Sequence, residues 1–163
     1  MTKLKSVVQV SRVLLLAAIA VALSVPALAQ TVKKTASYDI TVKGSSNLHD
    51  WTMKAKGSGM EANMNMAPGV SYLAGIPSLS FTLPVKSLKS NESLMDERAA
   101  RALNADKFPT ISFKLTDATV SGAQQNKAQL NVTGLLTISG VARQLTLAAS
   151  SVTNADGSVI VTG

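Results

Sequence analysis

The only histidine of this 163-residue chain, His49, stands beside Asp50 and the only tryptophan, Trp51. An imidazole next to a carboxylate is the smallest unit from which acid–base or nucleophilic chemistry is assembled. Its surroundings read as a strand, and successive strand residues point to opposite faces. His49 and Trp51 then share one face with Met53, and Asp50 faces the other way. The pair is thus not a dyad. No G-x-S-x-G elbow supplies a serine nucleophile, and no glycine-rich loop is spaced to cradle phosphate. Cysteine is absent, which removes disulfides, thiolate metal sites and a cysteine nucleophile, and one histidine brings too few ligands for a metal. Glu92, Asp96 and Glu97 lie beside Arg98 and Arg101, a pattern that ordinarily means helix-end charge pairing and solvation. The residues point to a protein that is not an enzyme and needs no cofactor.

An inward His49 requires a partner, because an unsatisfied buried ring costs roughly 1–3 kcal/mol. Either a neighbouring backbone or side chain holds it, or it meets the polar end of a bound molecule at a barrel mouth. Trp51 and Met53 read equally as plain core or as the lining of a cavity. The same ambiguity holds for Met60, Met64 and Met66. Arg143 falls by strict alternation on the apolar side with Val141, Leu145 and Leu147. Either a bulge swings it to solvent, or it is a cation that faces a ligand's head group near an open end.

The elements that position these residues alternate with period two. Strands are predicted over 36–43, 48–59, 60–66, 79–85, 111–116, 128–139, 141–149 and from 158 onward, with the larger apolar side chains on one parity of each. Turns are expected at 44–47, 67–69, 121–123, 139–140 and 154–157, where Gly, Pro, Asn, Asp and Ser gather. Gly134 in mid-strand predicts a bend or a close backbone approach. One interval breaks the alternation. Met95, Ala99, Ala102 and Leu103 recur at helical spacing after a capping-box-like Ser93–Asp96 pair, and Asn104 ends the helix. Short strands with a single helix indicate an all-β antiparallel barrel or sandwich.

The first 29 residues carry Lys3, Lys5 and Arg12, then an apolar run over 13–25 and the A-x-A site Ala27-Leu28-Ala29. The run is shorter than the roughly 20 residues of a membrane span, so this is a cleavable signal peptide and not an anchor. The mature chain is expected to start at Gln30 and to be periplasmic or secreted. Three of the sixteen cations leave with the signal, and thirteen against nine acids give a mature net charge of +4. The lysines are dispersed and lack interleaved aromatics, which argues against a nucleic-acid partner. Residues 30–163 suffice for one domain.

Three blocks, SNLHDWTMKAKG, KSNESLMDERAARALNADKFPTISFKL and VTGLLTISGVARQLTL, resemble in type and order the YceI-like family of polyisoprenoid-binding proteins, over roughly Ser37 to Ala149. The resemblance implies an extended lipocalin-like antiparallel barrel, closed at one side by a helix, that holds an isoprenoid or other long apolar lipid. With the alternation, it implies an apolar tunnel of Trp51, Met53, Phe81, Leu83, Met95, Leu103, Phe113, Leu136 and Leu147, with 94–103 as lid. His49 and Arg143 are the candidates for its polar end. A barrel simply filled by its own side chains is the competing expectation. Compared with that family the sequence stops about one hairpin early, so the barrel is expected to lack its C-terminal closing strands, either because the chain is a piece of a longer one or because the edge stays bare.

N-terminal sequencing of the exported protein should read from Gln30. A species that retains Met1 and stays in the membrane would contradict the leader assignment.

Overall fold

The computed structural model describes residues 31–163 apart from Leu48, Pro68 and Val70, and side chains from residue 36 onward. The predicted leader and its cleavage site lie outside the described residues. Among the described residues seven strands follow one another as a meander, each hydrogen-bonded antiparallel to the next: β1 (Thr31–Ser45), β2 (Asp50–Met66), β3 (Leu73–Pro84), β4 (Thr110–Gln124), β5 (Lys127–Ile138), β6 (Val141–Thr153) and β7 (Val159–Thr162). Between β3 and β4 the chain makes a 3-10 turn, Val85–Ser87, and the helix α1, Ser93–Ala102. The sheet curls into a half-barrel with β1 and β7 at its edges. It is the expected all-β, antiparallel, barrel-like architecture.

The predicted segments 48–59 and 60–66 are one strand of 17 residues. A bulge sets Ser58 and Gly59 against the single residue Ser37, between the register pairs Ala36–Met60 and Tyr38–Gly57. An extra residue shifts the side-chain period by one. Trp51, Met53 and Ala55 on odd numbers therefore share the covered face with Met60, Ala62 and Met64 on even ones. Another shift at Thr116 does the same in β4, moving the inner set from Ile111, Phe113 and Leu115 to Ala118 and Val120. The expected turn at 121–123 is not formed. Ser121 is skipped in a further register shift, Gly122 pairs with Gln129, and the hairpin closes at Gln125-Asn126, where Gln125 takes φ 54°. The Ser139-Gly140 turn forms as expected, with both residues at positive φ, the geometry that matches strand twist.

Two apolar clusters fill the concave face. Met53, Ala55, Leu83, Val85, Leu88, Ala105 and Ile111 form the one near α1. Ala62, Met64, Leu73, Ile76 and Leu130 form the other. Aromatic rings lying on glycines of the adjacent strand let the sheet bend around both. Tyr38 covers Gly57, its register partner, where a Cβ would come 2.5 Å from the phenolic oxygen. Trp51 likewise covers Gly44, and Phe113 covers Gly134, which is the close approach anticipated there. Tyr38 also meets Phe81 edge-on, with centroids 4.8 Å apart.

Gly44→Ala should cost about 1–3 kcal/mol of unfolding free energy, as overpacking does. In a Trp51→Ala background the same change should cost only a few tenths, because the ring is gone. Denaturant melts of the four proteins measure that coupling.

Candidate functional site

The segment from Val85 to Pro109 straps one end of the half-barrel, and its sequence explains how it is tied. The Val85 N–H donates to Pro109 O at 2.8 Å, closing the base. Lys54 and Lys89 exchange backbone hydrogen bonds of 2.7 and 2.8 Å, fastening the strap to β2. The expected Ser93–Asp96 capping box is not the one formed. Glu92 occupies the cap position without a side-chain cap bond, since Ser93 is already inside the helix. Asp96 Oδ1 instead accepts from the backbone N–H of Ser90 at 2.7 Å and from its hydroxyl at 2.8 Å. These two bonds, with Lys89 Nζ 3.5 Å away, hold the Asp96 carboxyl below its usual range.

At its other end α1 stops as the sequence indicates. Asn104 takes φ 50°, its N–H donates to Arg101 O at 3.0 Å, and that of Ala105 donates to Ala100 O at 2.9 Å. This is the paired bonding of a left-handed helix stop. The Ser139 hydroxyl then donates to Leu103 O at 2.8 Å, and Phe108 lies over Gly140. The helix is thereby pinned to the β5–β6 turn. Met95, Ala99, Ala100 and Leu103 pack on the nearer apolar cluster, and Leu94 faces solvent.

The predicted lining residues take three positions. Met53 and Leu83 are core, 4% and 3% exposed. Trp51, Phe81, Met95, Leu103 and Leu136 pack against that core without being sealed in. Leu147 is half exposed on the open side of the same face. Register brings several together. Met60 stands opposite Phe81, Phe81 opposite Phe113, and Phe113 opposite Leu136, a row across four strands in which every member is half-buried. The row runs between the two buried clusters. On one side of it Leu83 and Ile111 are buried, and on the other Leu79 and Leu115 are half-buried like the row itself.

Of the two expected polar-end residues, His49 is placed differently, while Arg143 keeps the face that alternation gives it. His49 precedes β2 and does not enter the interior, because the turn 46–49 interrupts the period that would have aimed it inward. Its side chain is 55% exposed, and Nε2 lies 4.0 Å from Glu92 Oε1. The backbone of the turn is held by Ser46, whose hydroxyl donates to His49 O at 2.9 Å. Arg143 is exposed, and no bulge puts it there. The β5–β6 ladder is continuous from Lys127–Val152 to Ile138–Val141, and Arg143 pairs with Leu136 at the end of the half-buried row. Among the described residues no cluster of three or more His, Cys, Asp or Glu could hold a metal, and no helix is long and apolar enough to cross a membrane.

Sequence reading missed an interruption between β3 and β4. Their ladder runs only from Pro84–Thr110 to Ser80–Lys114. Beyond it β3 continues paired to β2 as far as Leu73, and β4 continues paired to β5. A cavity of about 270 Å³ lies at the divergence, lined by Glu61, Ala62, Asn63, Ser78, Leu79, Ser80, Lys114 and Leu115. Pro77 is the one local signal, since it cannot donate to a ladder.

Residues 24–162 match the family described as YceI-like domain. Among solved structures, the Campylobacter jejuni YceI protein that crystallises with large solvent channels is similar at 16% identity, with TM-score 0.46 over 83% of this chain and 67% of that one. A mutant of that protein with a monobromobimane guest gives 15% identity and TM-score 0.44 over 84% of this chain and 66% of that one. The chain thus spans about two thirds of the length of these structures. No curated protein matches it.

Asp96→Asn should lower the melting temperature at neutral pH. A carboxyl held below its usual value, about 3.9, stabilises the fold above that value and loses the contribution as pH falls through the folded one. The gap between wild type and variant should therefore narrow as thermal melts are taken to progressively lower pH.

Proposed function

The chain belongs to the YceI-like domain family, and from that membership and the geometry of its concave face we propose that it is an exported binding protein for a long isoprenoid or similar apolar lipid. The observation that carries the reading is the half-buried row of Met60, Phe81, Phe113 and Leu136 between two closed clusters. Leu145 and Leu147 extend the apolar surface onto β6. A linear chain of methylenes and methyls laid along that band would cover surface that the protein leaves wet. Each buried methylene is worth about 0.8 kcal/mol, so affinity is spread along the band and no residue dominates.

The strap supports a holding role. It is tied to β2, to the β5–β6 turn and across its own base, so it plugs one end of the half-barrel and limits the length of chain accommodated. Binding is without chemical change. His49 and Asp50 flank no nucleophile, and two acidic groups of the strap are engaged in holding it: Asp96 on Ser90, and Asp106 in an ion pair with Lys86 at 2.9 Å. The leader read from the sequence sets the place of action as the periplasm or beyond. Loss of the leader would leave the protein without a stable membrane anchor, as a carrier or store requires.

Protein purified from the exported fraction should yield an isoprenoid-type lipid on organic extraction and mass spectrometry. Leu147→Asp alters an exposed position, so its circular dichroism and melting temperature should match wild type. Its affinity for a long prenyl alcohol should fall about tenfold, since a carboxylate in the band would have to be desolvated. Leu136→Trp should weaken long prenyl chains more than short ones. Wild-type affinities in both variants, together with an empty extract, would leave a barrel filled only by its own side chains.

A further inference from the structure

Resting on the reading above, we propose that the divergence of β3 from β4 is a side entrance to the lipid band, and that Lys114 at its rim holds the anionic head of an amphiphile whose tail lies inside. The first ground is where the ladder ends. Ser80–Lys114 is its last register pair, and Phe81–Phe113, the centre of the half-buried row, is the pair next to it. An apolar chain that passed between the strands at Leu79 and Leu115 would meet the row at once. The strap closes the end of the half-barrel near α1, so that end offers no comparable path.

The second ground is that the cavity is lined from both faces of the sheet. Ala62, Leu79 and Leu115 belong to the inner set and border the farther cluster. Glu61, Asn63, Ser78, Ser80 and Lys114 belong to the outer, polar set. An opening bounded by both suits a molecule with an apolar part and a polar part.

The third ground is the chemistry of the rim. Glu61, Ser80 and Lys114 form one register row across β2, β3 and β4, so the carboxylate and the ammonium stand at opposite sides of Ser80. Lys114 makes no ion pair with the described residues. The Asn63 amide donates to Ser78 Oγ at 2.8 Å, so the Ser78 oxygen is engaged as an acceptor while its hydrogen remains able to donate. A phosphate or carboxylate drawn to Lys114 would find hydroxyl donors on β3. Arg143 also ends the half-buried row, but on β6 and outside the cavity lining.

The test uses farnesyl phosphate and farnesol, one tail with and without the charged head, on the exported protein. Lys114→Met keeps the apolar stem and should weaken farnesyl phosphate about tenfold, the worth of one charge-assisted contact, while farnesol affinity and melting temperature stay at wild type. Arg143→Met should change neither probe. Because the chain has no cysteine, Ser80→Cys can be modified alone, and a bulky maleimide there should slow association of both probes severalfold. Equal loss of both probes in Lys114→Met, a charge effect found at Arg143 instead, or unchanged association in the blocked protein would overturn the entrance. Inorganic phosphate that binds alone with the same dependence on Lys114 would make this a free-phosphate site and also overturn it. Failure of wild type to bind farnesol and farnesyl phosphate alike would overturn the lipid reading itself.

Discussion

The curl of the sheet depends on rings laid over glycines. A seven-stranded antiparallel sheet with side chains on every residue would twist but resist closing, because large groups on the concave face collide as the radius shrinks. Gly44, Gly57 and Gly134 remove that collision at three points, and Trp51, Tyr38 and Phe113 fill the space created. The same rings thereby become surface of the concave face. Bending and lining are one act: the residues that permit the curvature are among those that face whatever the curvature encloses.

Bulges do the complementary work. Each adds a residue to one strand and exchanges the faces beyond it, so a strand of 17 residues can keep large side chains inward along its whole length while it bends. The cost is a weaker local ladder. Between β3 and β4 the ladder is given up altogether past Ser80 and Lys114. A barrel wall with an interruption is less stable than a closed one, and the groups at its edge must be satisfied by water or by something that comes to it.

The strap has the opposite character. It is short, its helix buries no residue completely, and an isolated helix of ten residues is marginal in water. It holds its shape because its ends are fixed from outside: Asp96 grips Ser90, Lys89 pairs with Lys54, and Ser139 ties Leu103 to the β5–β6 turn. An element secured at both ends behaves as a plug, whereas a hinged lid would be free at one.

The sequence alone determined the class of fold, because period two is a local property and survives wherever a strand is straight. It determined the stop of the helix at Asn104 and the tight turn at Ser139-Gly140, since backbone sign preference belongs to the residue. It also placed Phe81, Phe113 and Leu136 on one face. Tertiary structure decided what periodicity cannot carry past an irregularity. Bulges at Ser58-Gly59 and Thr116 reversed the parity without leaving a pattern in composition. His49 left the interior because the turn before β2 ended the period on which its inward placement rested, and Arg143 reached solvent because the face opens there, with the register unbroken. The gap at Lys114 is a relation between strands whose residues are more than thirty positions apart, and apart from Pro77 on β3 a pairing that does not form leaves no signature in either strand alone.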